Sequence, residues 1–456
     1  MRRTADFRKY ALGTALIASG LLGGGAATGL WTDTVLQILI LLCATPILAS
    51  GEGEEIDGRV LWFCGALLAV LLLQLVPLPS GLLSLFRDSL LLSGRQELGG
   101  AGPEFISLGL GRTLETFLYV AVLVILFLAL LRLPGEQLHA LLPFLLIGVG
   151  CNGIAALIQY SASSNVAISD LLPFTIRAGF FANRNHFASL LYTTLPFLLY
   201  LLTFKGSRLW SAIAILLFLL VLLAAGSRAG VLLGLAALVT SVAFLASRSR
   251  LSIWGVVVVA AVLGVYALGT MALFEERDLA DANRAAFAST TLTAIRDNWF
   301  FGIGYGNFPL AYQIYEDPGL VRSYYVNHAH NDFLEVIFEG GLFAALLLGV
   351  YGVLLLSQLM QVRHSHFQKA AFLAILFVLI HCVVDYPLRT MAVAVAFVYF
   401  NAVLFSRDLK PLRRNIKGII ELRDGSQIRH LAITDEPNDT SVPAVVQGRH
   451  ARRRRV

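Results

Sequence analysis

Apolar stretches of about 20 residues recur along this chain from Ala11 to Phe405. A helix rises about 1.5 Å per residue, so a stretch of this length crosses the hydrocarbon core of a bilayer, which is roughly 30 Å thick. Of the 456 residues, 57% are hydrophobic and 14% are charged, whereas an ordinary soluble domain has about 25% charged residues. A soluble globular protein is therefore excluded. The chain is predicted to be an all-α, polytopic bundle of transmembrane helices.

Windows of high hydropathy predict about twelve membrane spans. They are 11–30, 33–50, 60–78, 113–131, 138–160, 187–204, 209–225, 229–247, 252–274, 333–357, 368–386 and 390–406. An even number of spans puts both termini on the same side of the membrane. Basic residues flank the first and last spans and predict that this side is the cytoplasm. They are Arg2, Arg3, Arg8 and Lys9 before the first span, and Arg407, Lys410, Arg413 and Arg414 after the last.

This threading divides the chain into a cytoplasmic N-terminus, 1–10, a transmembrane domain, 11–406, and a basic cytoplasmic tail, 407–456. The tail has 12 basic and 6 acidic residues, so it supplies the whole net charge of +6. It is predicted to be disordered, and its closing run Arg452–Arg455 either binds anionic lipids or only fixes the topology. The four cysteines lie inside apolar runs without paired spacing, which predicts neither a disulfide framework nor a zinc site.

Three segments on the predicted outer side are long enough to hold structure: 79–112, 161–186 and 275–332. The last is a large periplasmic loop with short helices, between the ninth and tenth spans, and loops of this length are usually functional. It contains an amphipathic helix from Asn283 to Asn298, and then a glycine-rich stretch from Trp299 to Asn307. The glycines are spaced like part of a dinucleotide fingerprint, but no strand precedes them. A tight turn that re-enters the membrane is predicted instead.

Ionisable side chains are costly near a bilayer, so those at the ends of spans are candidates for a site. In this threading they collect on the outer face: Arg177, Arg184, His186, Arg228, Arg284, Arg296, His328, His330, Asp332, Asp385 and Arg389. A cationic cluster at an apolar boundary suits a lipid phosphate or diphosphate, whose oxygens accept forked hydrogen bonds from guanidinium groups. Each arginine also has a simpler interpretation. Arg228 could snorkel to the interface, and Arg284 could be a surface charge on a helix that lies on the membrane.

The densest polar motif runs from Asn327 to Gly341. His328 and His330 would provide a titratable base at the height of a lipid head group. Two alternatives stay open: a zinc site formed by both histidines with Asp332, and a helix cap formed by Asn331 or Asp332. The carboxylates of Glu335 and Glu339, four residues apart on the tenth span, are expected to face the protein interior and to orient His330 or the loop arginines.

Four motifs, in this order and spacing, resemble the O-antigen ligase and polymerase superfamily. They are Ala178–Phe187, Gly226–Ala229 at the start of a span, Thr291–Phe308, and His328–Gly341. The resemblance covers roughly residues 60–405 and is strongest in the core region, about 175–345.

The resemblance implies an inner-membrane glycosyltransferase that works on the periplasmic side. It would transfer a glycan from undecaprenyl diphosphate to an acceptor hydroxyl without metal, nucleotide or other cofactor. Arg228 and Arg284 would hold the diphosphate, and His330 would be the catalytic base. His328 is less suited to that role, because the histidine of the family directly precedes the amide residue. The possible supporting residues are His328, Arg177, Arg184, Asn331, Glu335, Glu339 and Asp385.

The resemblance leaves the acceptor open among lipid A core, a growing lipid-linked glycan, and a serine of a pilin protein. A polysaccharide ligase or polymerase is favoured over a protein O-oligosaccharyltransferase, because the sequence shows no appended outer domain. The expected partners are the lipid-linked glycan, its acceptor, membrane lipids and other polysaccharide-assembly proteins, with no nucleic acid. Two other classes stay open: a transporter of a small anion such as bicarbonate, and a structural subunit of an assembly complex. A transporter would line a path between both faces with polar residues, whereas here they crowd one face.

Overall fold

The computed structural model describes residues 2–27, 29–87, 104–161, 178–205, 207–245, 264, 279–319, 326–361, 365–407, 409, 419–424 and 427–432. These residues are mostly helical, as the all-α prediction requires. The chain forms two units, 1–409 and 410–456. In the second unit, strand β3 (Ile419–Asp424) pairs antiparallel with β4 (Gln427–Ala432). The other tail residues lie outside the described part, so the disorder predicted for the tail stays a prediction.

The described part of the first unit is mainly helical. Its helices are α1 (Arg2–Leu22), α2 (Trp31–Ala49), α3 (Gly58–Leu73), α4 (Ser80–Leu83), α5 (Leu110–Leu131), α6 (Gly135–Ala140), α7 (Leu142–Ser161), α8 (Arg184–Phe204), α9 (Arg208–Ala224), α10 (Arg228–Leu245), α11 (Leu279–Asp297), α12 (Phe308–Tyr315), α13 (Asp332–Gln361), α14 (His366–His381) and α15 (Met391–Phe405). A 3₁₀ turn, Pro387–Arg389, precedes α15. A two-stranded ribbon pairs β1 (Pro77–Leu78) with β2 (Glu104–Phe105).

Six helices in the described part are long and apolar enough to cross a membrane. They are Trp31–Ala49, Leu110–Leu131, Gly135–Tyr160, Arg184–Phe204, Arg228–Leu245 and Asp332–Met360. Four shorter apolar helices, α3, α9, α14 and α15, coincide with further predicted spans. The predicted span 252–274 lies outside the described residues except for Gly264. The protein is thus a multi-pass membrane protein, and the count of twelve spans stays a prediction.

Helix α8 forms the centre of the bundle and packs against α9, α10 and α14. Its side chains are buried from His186 to Tyr200, all round the helix. A helix that is apolar on every face is buried in protein or faces lipid, and α8 is of the first kind. Phe197 stacks on Phe400 of α15 at 5.3 Å between ring centres, which fixes the two central helices together. Outer helices instead expose apolar side chains, such as Trp210 of α9.

The glycine-rich stretch is a tight loop that packs on a break in α13. Gly302, Gly304 and Gly306 all have positive φ, as does Gly341, where the helical geometry of α13 is interrupted. The backbone amide of Gly304 donates a hydrogen bond to the carbonyl of Glu339 at 2.9 Å. The amide of the loop residue just before Gly304 donates in the same way to the carbonyl of the residue just before Glu339. Because glycine adopts positive φ without steric cost, the sequence can place loop backbone directly against helix backbone. The tight turn is therefore present, with a packing role for its glycines.

An alanine at Gly304 should destabilise the protein. A Cβ there would overlap Ser107, and the φ of +92° is unfavourable for any residue with a side chain. We expect a loss of about 1–3 kcal/mol in the free energy of unfolding, seen as a lower unfolding temperature in detergent. Gly349→Ala is the matched control, because a Cβ at this helical position of α13 meets nothing within 4 Å. Equal unfolding temperatures for the two variants would contradict the packing role of the loop.

Candidate active site

Asp385 lies at the centre of the candidate site, in the link between α14 and α15. Its side chain is only 1% exposed. Asn185 donates a hydrogen bond to Oδ2 at 2.6 Å, and Nδ1 of His330 lies 3.2 Å from Oδ1. His186 Nε2 is 3.7 Å from Oδ1, and the guanidinium of Arg284 is 4.0 Å from Oδ2. One buried carboxylate thus joins the start of α8, the loop helix α11 and the segment that precedes α13.

The charge of Asp385 is maintained by its neighbours. Burial disfavours the carboxylate and would raise its pKa, but the imidazoles of His186 and His330 outweigh this and hold the pKa of Asp385 well below its usual range. The backbone amide of Tyr386 adds a hydrogen bond to Oδ1 at 3.0 Å. A carboxylate that stays ionised can accept a hydrogen bond from an imidazole N–H and so fix the orientation of the ring.

His330 is held in an unusual backbone conformation. Among the described residues it is the one non-glycine position with a positive φ, at 50°. Such a conformation costs about 1–2 kcal/mol for a residue with a side chain and persists where the surroundings enforce it. The ring stacks on Phe287 of α11 at 6.0 Å between centres, and 25% of the side chain is exposed. The imidazole is therefore fixed on one side and accessible on the other.

Tyr386 is surrounded by three imidazole rings. The ring centres of His328, His186 and His330 lie 4.0, 4.7 and 5.0 Å from its own. Burial, assisted by the charge of Asp385, raises the pKa of Tyr386 to about 12, so its phenol stays protonated at neutral pH. This tyrosine packs the histidine-bearing segment against the start of α8.

Three arginines lie near the starts of helices at this end of the bundle. Arg228 is the first residue of α10, Arg184 is the first of α8, and Arg284 lies near the start of α11. The hydroxyl of Ser227 donates to Oδ1 of Asn185 at 2.8 Å, which ties the start of α10 to the residue that holds Asp385. Positive charges at helix N-termini add to the partial positive charge of the helix ends, so this end of the bundle favours an anion.

A second group of charges supports the site from behind. Arg389 lies 2.9 Å from Glu339, 3.3 Å from Glu335 and 3.4 Å from Asp332, and the three carboxylates are 0, 1 and 8% exposed. Glu335 also pairs with His328 Nδ1 at 2.8 Å. Burial works against the charged guanidinium, but the carboxylates raise the pKa of Arg389 well above its usual value. This network connects the start of α13 to the link before α15.

Glu339 also connects this network to the glycine-rich loop. Its Oε1 accepts hydrogen bonds from the backbone amides of Gly306 at 2.8 Å and Phe308 at 3.3 Å, while Oε2 binds Arg389. Asn331 accepts a hydrogen bond from the amide of Leu334 at 3.1 Å and so caps α13, as one of the sequence interpretations proposed.

The structure thus distributes the predicted site residues over two layers. His330, Arg284 and Asp385 are in direct contact, and Arg184 and Arg228 begin the helices beside them. His328, Glu335 and Glu339 lie in the Arg389 network. The glutamates were expected to orient His330 or the loop arginines, but in this structure the carboxylate beside His330 is that of Asp385. Arg177 lies outside the described residues. The site includes three residues that the sequence interpretation did not assign to it: Asn185, Ser227 and Tyr386.

The two histidines contact different carboxylates. His328 pairs with Glu335, and His330 pairs with Asp385. Across the part of the chain that the structure describes, no three His, Cys, Asp or Glu side chains form a group that could hold a metal ion. The zinc site considered for His328, His330 and Asp332 is therefore not formed in this structure.

The comparisons with known proteins identify the domain that carries most of these residues. Residues 212–349 match the family model described as O-antigen ligase. The comparison with curated proteins finds no match. The matched segment contains Arg228, Arg284, His330 and the carboxylates of the second layer, and the resemblance seen in the motifs is thereby confirmed. The match over residues 212–349 supports the resemblance of this membrane protein to the O-antigen ligase and polymerase superfamily.

Proposed function

We propose that the protein transfers a glycan from undecaprenyl diphosphate to an acceptor hydroxyl, at the periplasmic face of the bacterial inner membrane. The observation that carries the proposal is the contact between His330 and Asp385. An imidazole whose Nδ1–H donates to a carboxylate has its lone pair on Nε2, and this is the arrangement of a general base. Asp385 is a positioning residue, because it acts through His330.

The reaction follows from this arrangement. Nε2 of His330 removes the proton of the acceptor hydroxyl, and the oxygen attacks the anomeric carbon of the donor glycan. The bond between that carbon and the diphosphate oxygen breaks, so undecaprenyl diphosphate leaves and the configuration at the carbon is inverted. The exposed fraction of His330 gives the acceptor access to the base, while Phe287 and Asp385 hold the ring.

The arginines stabilise the leaving group. Negative charge accumulates on the diphosphate as the glycosidic bond breaks, and fixed cations near it lower the energy of the transition state. Arg228 and Arg284 are proposed to bind the diphosphate, with Arg184 as a further cation and Arg177 as a second candidate. Guanidinium groups can neutralise this charge by forked hydrogen bonds, so the reaction is proposed to need no divalent metal.

The membrane arrangement and the partners follow from the same proposal. Both termini are proposed to be cytoplasmic, and the site lies at the outer ends of the spans. The acceptor is proposed to be a glycan or a lipid A core, as in surface-polysaccharide ligation or polymerisation. Contacts with other polysaccharide-assembly proteins would accompany this role.

Transfer from an undecaprenyl-diphosphate glycan by the purified protein should persist in EDTA. It should fall by about 10²–10³-fold in Arg284→Gln, because a preorganised charge at the leaving group is lost. Arg296→Gln is the matched control, since this exposed arginine lies on the same helix, in its last turn. The measurement is the rate of product formation on gels or by mass spectrometry.

Two results would count against this reaction. If Arg284→Gln transferred the glycan at the wild-type rate, Arg284 would not have the proposed role in binding the diphosphate. Loss of transfer in EDTA would indicate that the reaction needs a metal ion. If the folded wild-type protein transferred to no acceptor but moved bicarbonate into liposomes, the transporter class would replace the glycosyltransferase.

A further inference from the structure

A cavity lies at the opposite end of α8 and α14 from the candidate active site. Its volume is about 690 Å³, and ligand pockets in proteins commonly measure about 300–1,000 Å³. The lining residues are Gly135, Glu136, His139, Tyr200, Phe204, Lys205, Ser365, His366, Phe367 and Leu409. Helix α8 has 21 residues, so its two ends are about 30 Å apart, which is the thickness of a bilayer core. The cavity and the active site therefore belong to opposite membrane faces.

The side chains of the cavity favour an anion. Lys205, His139 and His366 provide nitrogen donors, and Glu136 is the one carboxylate of the lining. The N-terminus of α14, a helix of 16 residues, also lies at the cavity. Ser365 caps this helix, because its hydroxyl accepts a hydrogen bond from the amide of Gln368 at 3.3 Å. The partial positive charge of a helix N-terminus adds to the charge of Lys205.

The two imidazoles are held in place by aromatic rings. His366 stacks on Phe204 with 4.0 Å between ring centres, and His139 lies 4.5 Å from Phe367 and 3.1 Å from the hydroxyl of Tyr200. Nδ1 of His366 is buried and has no hydrogen-bond partner among the described residues. A buried polar nitrogen without a protein partner costs free energy unless a water or ligand supplies the hydrogen bond.

We propose that this cavity binds a phosphate group at the membrane face opposite the active site. Two sources supply this chemistry: the head group of an anionic phospholipid, and free inorganic phosphate. The cavity is much larger than one phosphate, and the rings of Tyr200, Phe204 and Phe367 give it an apolar side that suits the glycerol and first methylene groups of a lipid. The proposal is independent of the transfer reaction, since binding is measured without a glycan donor.

The test is native mass spectrometry of the full chain in a neutral detergent, with phosphatidylglycerol or phosphatidylcholine added, and with inorganic phosphate as a competitor. The test variant combines Lys205→Gln with His366→Phe, which removes two nitrogen donors but keeps a ring against Phe204. Arg208→Gln is the control, because it removes an exposed cation of α9 that is not part of the lining. Thermal unfolding verifies that all variants fold.

We expect the double variant to weaken phosphatidylglycerol binding about tenfold or more, as for the loss of a hydrogen bond to a charged group. The control should bind like the wild type, and phosphatidylcholine should bind more weakly than phosphatidylglycerol. Competition by millimolar phosphate would assign the site to a small anion, and its absence would assign it to a lipid head group. The proposal would be overturned if the folded double variant bound phosphatidylglycerol as tightly as the wild type does, and also bound phosphate as tightly.

Discussion

Replacement of His330 by asparagine should lower the rate of glycan transfer by about 10²–10⁴-fold, which is the usual contribution of a general base. Asparagine is the preferred substitution because it tolerates the positive φ of 50° found at this position. An alanine would combine the loss of the base with a change in backbone strain, whereas asparagine removes the imidazole alone. The unfolding temperature should therefore change little while transfer is lost, as measured on the same purified sample.

His328→Asn is the informative comparison. This ring packs on Tyr386 and pairs with Glu335, so its loss should loosen the site and reduce transfer far less than the loss of His330. Asp385→Asn should behave like a weaker form of His330→Asn, because it removes the negative charge beside Nδ1 and leaves the base in place. If His328→Asn abolished transfer and His330→Asn retained it, the base would be His328 and the proposed geometry would be wrong.

Hydropathy predicted the helices well because the bilayer and the core of the bundle select the same residues. The helix α8 illustrates the limit of this pattern: it is as apolar as a lipid-facing span, yet it is buried on every side. Hydropathy cannot distinguish the two, since both surroundings are apolar. The start of α1 shows another limit. The helix begins at Arg2, before the predicted span, because charged residues can extend a helix beyond the apolar stretch.

The site was predicted in part because its residues are polar where the membrane is apolar. His330 and Arg284 stood out for this reason, and both contact Asp385. The pairing itself could not be predicted, because His330 and Asp385 are 55 residues apart and meet through the packing of separate helices. Local spacing favoured Glu335 and Glu339 as partners of His330. The two glutamates do lie on one buried face of the helix, as predicted. This face contacts Arg389 and not His330.

Replacement of Arg389 by glutamine should strongly destabilise the protein. Three nearly buried carboxylates, those of Asp332, Glu335 and Glu339, share this one guanidinium, at 2.9 to 3.4 Å. Removing one partner from a buried ion network typically costs about 3–5 kcal/mol, because charges remain in an apolar environment without compensation. We expect a large drop in the thermal unfolding temperature in detergent, together with poor yield of folded protein.

Two matched variants separate this effect from a general sensitivity to the loss of an arginine. Arg59→Gln removes one of the two arginines that pair with Asp57, at an exposed position where solvent already screens the charges, and Arg407 remains paired. This substitution should leave the unfolding temperature unchanged. The double variant Arg389→Gln with Glu339→Gln should be more stable than Arg389→Gln alone, because it buries one charge fewer while the amide can still accept from the loop amides. If Arg389→Gln unfolded at the wild-type temperature, the carboxylates would not depend on this cation. The network would then have no role in joining α13 to the link that carries Asp385, and the support for the orientation of His330 would have to come from Tyr386 and Phe287.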